Sequence, residues 1–338
     1  VDITPPELPV IRNGSFLEAS VDQVIDRLHS RCLVLREPES GTRVAIAVVD
    51  TCMIPRPLCD TIKKEVTART GIPNDHILIA ATHCHSAPSV MHFCLGSRAD
   101  PAYTAFLPPL VADSIVQAHD SLQPARVGWT RFDADPFTAT RRWVSRPDRM
   151  QVDPFGMRSV RAMMHPGYQN PAWIGESGPE DPWFSLLSVQ TRAGRPLALM
   201  GNFSMHYFGG HPGLSSDYFG LFARKIAKEL APDDPGFVGI LSQGTSGDSW
   251  RGDYARPKAE SDVSMDDYTA DLVTLTTSAL GRVRYHERLP LAMAERRFTL
   301  KRRVPDEARL AWAKPLMDAM AGRQPKNRPE VYAQQAYY

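Results

Sequence analysis

The chain has no hydrophobic run long enough to cross a bilayer, no Cys-x-x-Cys pair and almost no net charge. A spanning helix needs about 20 predominantly apolar residues, so no transmembrane segment is expected. Five cysteines, at positions 32, 52, 59, 84 and 94, are an odd number at scattered spacings. That argues against a disulfide framework and a structural zinc knuckle. Most read as small buried hydrophobes. Lys and Arg (39) nearly cancel Asp and Glu (38), which gives no electrostatic basis for binding nucleic acid. The local basic run Arg296-Arg297 to Lys301-Arg302-Arg303 is broken by Phe298 and Leu300 and reads as a solvated strand face. No internal repeat or low-complexity linker divides the 338 residues, so one domain over 1–338 is expected. The chain opens at Val1 rather than Met, as expected where an upstream segment is removed or omitted, and its compartment stays open.

What is present is an α/β pattern. Arg31–Leu35 and Val44–Val49 are short apolar runs around Glu39-Ser40-Gly41, a hairpin signal. Leu58, Ile62 and Val66 then recur every four residues, with Gly71 past the end, which predicts a helix. A strand follows from Ile77. A helix over about 102–121, a strand near 125–130, and strands over 184–190 and 197–205 continue the alternation. Phe219, Phe222, Ile226 and Leu230 predict an amphipathic helix from about Asp217, followed by a strand over 237–241. These elements predict layered mixed β-sheets flanked by helices. Residues 140–183, rich in Pro, Gly, Arg and Trp, read as an irregular excursion whose aromatic content favours order. Residues 330–338 look helical and stop without a cap.

Three segments carry chemistry. The run Ile77-Leu78-Ile79-Ala80-Ala81-Thr82 ends in His83-Cys84-His85-Ser86-Ala87-Pro88. On an extended backbone, alternate side chains share a face, so His83 and His85 would face one space and Cys84 would pack behind them. Two such imidazoles are half of a zinc or iron site, or a pair bonded to backbone or water. Gly201 to His206 repeats the logic of a strand ending in a histidine. His211 lies in the following Gly-rich loop, and Asp217 sits where a helix-capping carboxylate belongs. Gln243 to Trp250 is a glycine turn after a third strand, with amides able to face a ligand. It lacks the Gly-Lys-Ser/Thr ending of a phosphate loop and the Gly-x-Ser-x-Gly of a nucleophile elbow.

Together these segments resemble the neutral/alkaline (non-lysosomal) ceramidase family, as a bacterial relative of its catalytic domain. Asp2-Ile3-Thr4-Pro5-Pro6 looks like that family's first strand and turn. Gly71 through Pro88 is similar to its His-x-His-Ser-Gly/Ala-Pro signature. Asn202 to His206 with Ser216-Asp217 and Gly220 is similar to its second histidine segment, and Gln243 to Asp248 to its Gly-Asp turn. Gly178-Pro179 with Asp181-Pro182 also recurs in bacterial relatives. The resemblance covers nearly the whole chain, and it implies a secreted or periplasmic location.

The resemblance implies a single Zn2+ held by His83 and His206, a catalytic His85 that contacts substrate or handles a proton, and an active-site Arg141. It also places His211, Asp217, Gly247, Asp248 and Ser249 around the substrate. The family's further ligands, a Glu and a Tyr well downstream, have no counterpart here, so the chain is expected to end before reaching them. One departure concerns the turn: the family commonly reads Gly-Asp-Val-Ser-Pro, whereas Gly247-Asp248 is followed here by Ser249-Trp250-Arg251. The implied activity is zinc-dependent cleavage of an N-acyl bond in a small-molecule or lipid amide, with no nucleic-acid partner. Two alternatives remain: a lipid- or sugar-binding module of the same fold, and a barrel amidohydrolase or esterase with His-x-His on its first strand.

Overall fold

The structure is a computed structural model that describes residues 1–93 and 95–338, so Cys94 lies outside the described residues. Its centre is two stacked sheets. The smaller contains Ser30–Arg36, Arg43–Val49 and Ile77–Ala81 in that order. The first two pair as the expected antiparallel hairpin, from Ser30 opposite Val49 to Arg36 opposite Arg43. The third runs parallel to the second after a crossover through helix Arg56–Thr70. That helix buries Ile62 and Val66 and ends on Gly71 in the left-handed conformation (φ 71°), where a side chain would be strained.

The larger sheet has the order Val238–Gln243, Pro196–Phe203, Trp183–Thr191, Ala125–Asp133 and Arg284–His286. Its first pair is parallel and the rest antiparallel. Strand alternation assigns each face a partner. In the hairpin, Cys32 and Val34 pack with Val66 and Ile115 of the helices, while Leu33 and Val48 turn to Val189, Ala198 and Ile240 of the second sheet. On the far side, Phe219, Phe222 and Ile226 of helix Asp217–Leu230 cover Phe184, Leu199 and Phe203. The result is helix, sheet, sheet, helix: the layered α/β architecture the pattern predicts.

Four sequence expectations change. The strand before the first histidine pair ends at Ala81, and His83 has φ 65°, so the two imidazoles are not presented by an extended backbone. The strand before His206 stops at Phe203. Within 140–183, Arg142–Ser145 is the middle strand of a small sheet with Ala162–Met164 and Trp173–Glu176. The basic run at 296–303 is exposed as expected but belongs to no strand, because it has no neighbour with which to form a ladder.

Candidate metal and active site

Each sheet contributes one parallel strand pair, and both pairs end at the same place. In α/β sheets, ligands collect beyond the carboxyl ends of such strands. Cys52 follows Arg43–Val49, and His83 follows Ile77–Ala81. The two chains stay tied past their strands by hydrogen bonds from Thr82 N to Val49 O and from His83 N to Thr51 O, both 2.9 Å. From the larger sheet come His206, beyond Phe203, and the turn Ser246-Gly247, beyond Gln243.

The three imidazoles converge. Ring centroids are 4.7 Å apart for His83 and His85, 4.8 Å for His83 and His206, and 5.4 Å for His85 and His206. His83 Nδ1 donates to Cys52 O at 2.8 Å, and His206 Nδ1 to Ser246 O at 3.1 Å. Each carbonyl fixes the proton on Nδ1 and leaves a lone pair on Nε2, the arrangement a metal-ligating histidine needs. The His85 ring meets the Gly14 backbone, and its Nε2 lies 3.1 Å from that of His83. Two nitrogens on one tetrahedral zinc ion would be about 3.3 Å apart, given Zn–N bonds of roughly 2.0–2.1 Å. The spacing of the His83–His85 pair therefore fits a shared divalent cation, with the His206 ring centroid 4.8 Å from that of His83.

Burial holds all three rings neutral. His206 is pushed down to about 2 by desolvation, then by the charge of Arg141 and the neighbouring rings. His85 falls to about 3 through desolvation and His83. His83 is lowered by desolvation too, with Arg141 adding to the effect. Neutral imidazole is the ligating form, so protons compete weakly for these nitrogens at neutral pH.

Cys52, His83 and His85 also form a group with ligand atoms within 4.8 Å of one another. Cys52 Sγ, however, approaches Nδ1 of His83 (3.7 Å), the edge opposite His85. That edge of His83 is already committed to Cys52 O, which leaves Nε2 as the nitrogen free to ligate. Cys52 has a place in the site that its reading as core filler missed. Cys84 packs as expected, fully buried.

A groove of about 600 Å³ opens onto His83 and His206, with Gln243 and Gly247 on one wall and Met53, Ile54, Ile79 and Met91 on another. Arg141, 8% exposed, is tied to the turn at the groove: its Nε donates to Gly247 O at 2.9 Å, and its backbone N to Asp248 O at 2.8 Å. Desolvation lowers its pKa. Tyr207 stacks on His85 (3.8 Å, 16°) and meets Trp250 at 5.6 Å. Trp250 meets His165, whose Nδ1 is 2.5 Å from Tyr254 Oη. Tyr207, His165 and Tyr254 were not singled out in the sequence. Tyr207 adjoins a predicted ligand, but His165 and Tyr254 lie in loops with no periodic signal.

The remaining predicted residues sit around this centre without lining the groove, except Gly247. Asp248 faces outward and pairs with Arg142 at 2.6 Å. Ser249 is fully buried opposite Thr140 in a short strand pair. Asp217, also fully buried, accepts from the backbone N of Phe208 and Gly209 (2.8 Å each) and of Tyr218 (2.7 Å). His211 Nε2 lies 3.3 Å from its Oδ2. The helix is capped at Ser216 rather than at Asp217, which is its first residue and the anchor of the loop carrying Tyr207.

The chain matches no protein-family model. Its fold is similar to that of the neutral ceramidase from Pseudomonas aeruginosa, with a TM-score of 0.62 and 19% identity over 83% of this chain and 43% of that one. A structure described as ceramidase complexed with C2 matches with a TM-score of 0.63 and 19% identity, covering 83% of this chain and 42% of that one. The chain therefore has a ceramidase-like fold and spans less than half the length of these neighbours. Among the described residues, no helix is long and apolar enough to cross a membrane.

Proposed function

We propose that the chain carries the active site of a zinc-dependent hydrolase that cleaves an N-acyl bond in a lipid-like amide. The supporting observation is the convergence of His83, His85 and His206, two of them with Nδ1 tied to a backbone carbonyl so that Nε2 is left as the ligand atom. His83 and His206 would hold the ion, and His85 is near enough to complete a three-nitrogen set of the kind catalytic zinc sites use. Zinc at such a position lowers the pKa of water from 15.7 to about 7 and polarises a carbonyl.

The chain's own residues would do the rest. The apolar wall of Met53, Ile54, Ile79 and Met91 takes the acyl chain and brings its carbonyl to the histidines. Arg141 adds a fixed positive charge beside the histidines. Water adds to the carbonyl carbon, the C–N bond breaks, and a carboxylic acid and an amine leave. The resemblance gives His85 a proton-handling role, but a ring held neutral down to about 3 is a poor base near pH 7 and a better ligand.

The test is hydrolysis of a panel of N-acyl lipids and acyl amides by the zinc-loaded protein, repeated after chelation and with His83→Ala. Cleavage lost on chelation, restored by zinc and absent in the folded variant is the expected outcome. Retention of ligand binding with no cleavage of any amide would favour the binding-module reading.

A further inference from the structure

Resting on the reading above, we propose that the substrate carries a carboxylate beside its scissile amide, as in an N-acyl amino acid, and that Arg141 binds it. Arg141 is a buried guanidinium in an unusual balance of charge. Its Nε is committed to Gly247 O, while its two amino groups meet no acceptor among the described residues. No described carboxylate lies within 4 Å of it; the nearest candidate, Asp248, is paired with Arg142 instead. The charged groups nearest it, Arg142 and Asp248, are paired with each other, and Tyr207 and Tyr254 stand alongside. A charge taken out of water without a counter-ion is costly, commonly by several kcal/mol. A bound cation at the histidines would add to the same uncompensated positive field. An anionic ligand resolves the imbalance.

The chemistry selects a carboxylate. Two free amino groups of one guanidinium match its two oxygens, the bidentate geometry for which arginine is suited. The position selects the end of the substrate. The apolar groove runs past Met53 and Ile79 to Gly247, whose carbonyl accepts from Arg141. An acyl chain in the groove therefore directs the amine half of the amide toward Arg141. Arg56 also borders the groove, but it is exposed and its charge is screened by water.

The experiment is calorimetric titration of the chain at pH 8, with chelator present to prevent turnover, using N-lauroylglycine and its neutral isostere N-lauroylglycinamide. The acylglycine should bind at least tenfold more tightly to the natural protein. That ratio should fall to near one in Arg141→Ala and be partly restored in Arg141→Lys. Equal affinities in the natural protein, a ratio that survives in folded Arg141→Ala, or no binding of either compound would overturn the proposal. The natural-protein comparison requires no variant to fold. Cleavage of the glycinamide by the zinc-loaded protein as fast as the acylglycine would leave the hydrolase reading standing while this one fell.

Discussion

Two residues fix where the imidazoles can go. His83 holds a left-handed backbone, a conformation that costs a branched or bulky residue about 1–3 kcal/mol and gathers at functional sites. Glycine adopts it freely. His83→Gly should therefore keep or slightly raise stability, by up to about 1 kcal/mol, while stoichiometric zinc binding is lost. Chemical denaturation alongside metal analysis checks both halves; a large loss of stability would show that the ring serves packing. Gly14 acts from the other side. A Cβ there would lie 2.5 Å from Cγ of His85, on a residue with φ +98°. Gly14→Ala should displace that ring and weaken zinc binding by about 10–100-fold, as loss of a supporting contact does. Competition with a chelating dye measures it, and unchanged affinity would remove His85 from the ligand set. The histidines themselves were legible because imidazole at a strand end is a rare and reactive choice. Arg141 was legible only through resemblance, since nothing in a single arginine announces its burial.

At the scale of elements, the loop 207–211 is held to helix Asp217–Leu230 by one carboxylate. The buried Asp217 is kept below the ordinary carboxylate range because the His211 imidazole 3.3 Å away and hydrogen bonds from Gly209, Tyr218 and Phe208 outweigh desolvation. The same pairing raises His211 above its usual value. The raised histidine contributes stability that is fully present below its unfolded pKa of about 6.5 and is lost as pH rises through the folded value. His211→Asn should therefore cost about 1.5 kcal/mol at pH 5.5 and much less at pH 9, read from urea midpoints at the two pH values. A pH-independent cost would mean that the pair is not charged. The helix start was readable at Asp217 because its place before Phe219 and Phe222 marks one, but the cap itself falls at Ser216. The anchoring task of Asp217 was not readable, because the loop it holds is joined to it by contacts that leave no period in the sequence. The same limit hid the order within 140–183. There, strands of two to four residues are too short to show alternation, and pairing to Arg142–Ser145 decides their conformation.

The whole molecule explains why histidines so far apart in the chain meet. Leu33, Val48, Val189 and Ile240 bind the two sheets face to face, and each sheet brings a parallel pair whose carboxyl ends lie at one edge. Period-two alternation made the strands visible, and the apolar helix faces made the covering layers visible. The stacking of one sheet on the other was not visible, since both faces of a buried sheet are apolar and no residue names its partner. On the proposed reading, this stacking assembles a nitrogen-rich metal centre from both halves. X-ray absorption on the zinc-loaded chain addresses it directly. One zinc per chain is expected, with two or three imidazole nitrogens at about 2.0–2.1 Å, reduced by one in either His83→Ala or His206→Ala. Zinc bound with an oxygen-only shell, or a shell unaltered by both substitutions, would contradict that reading.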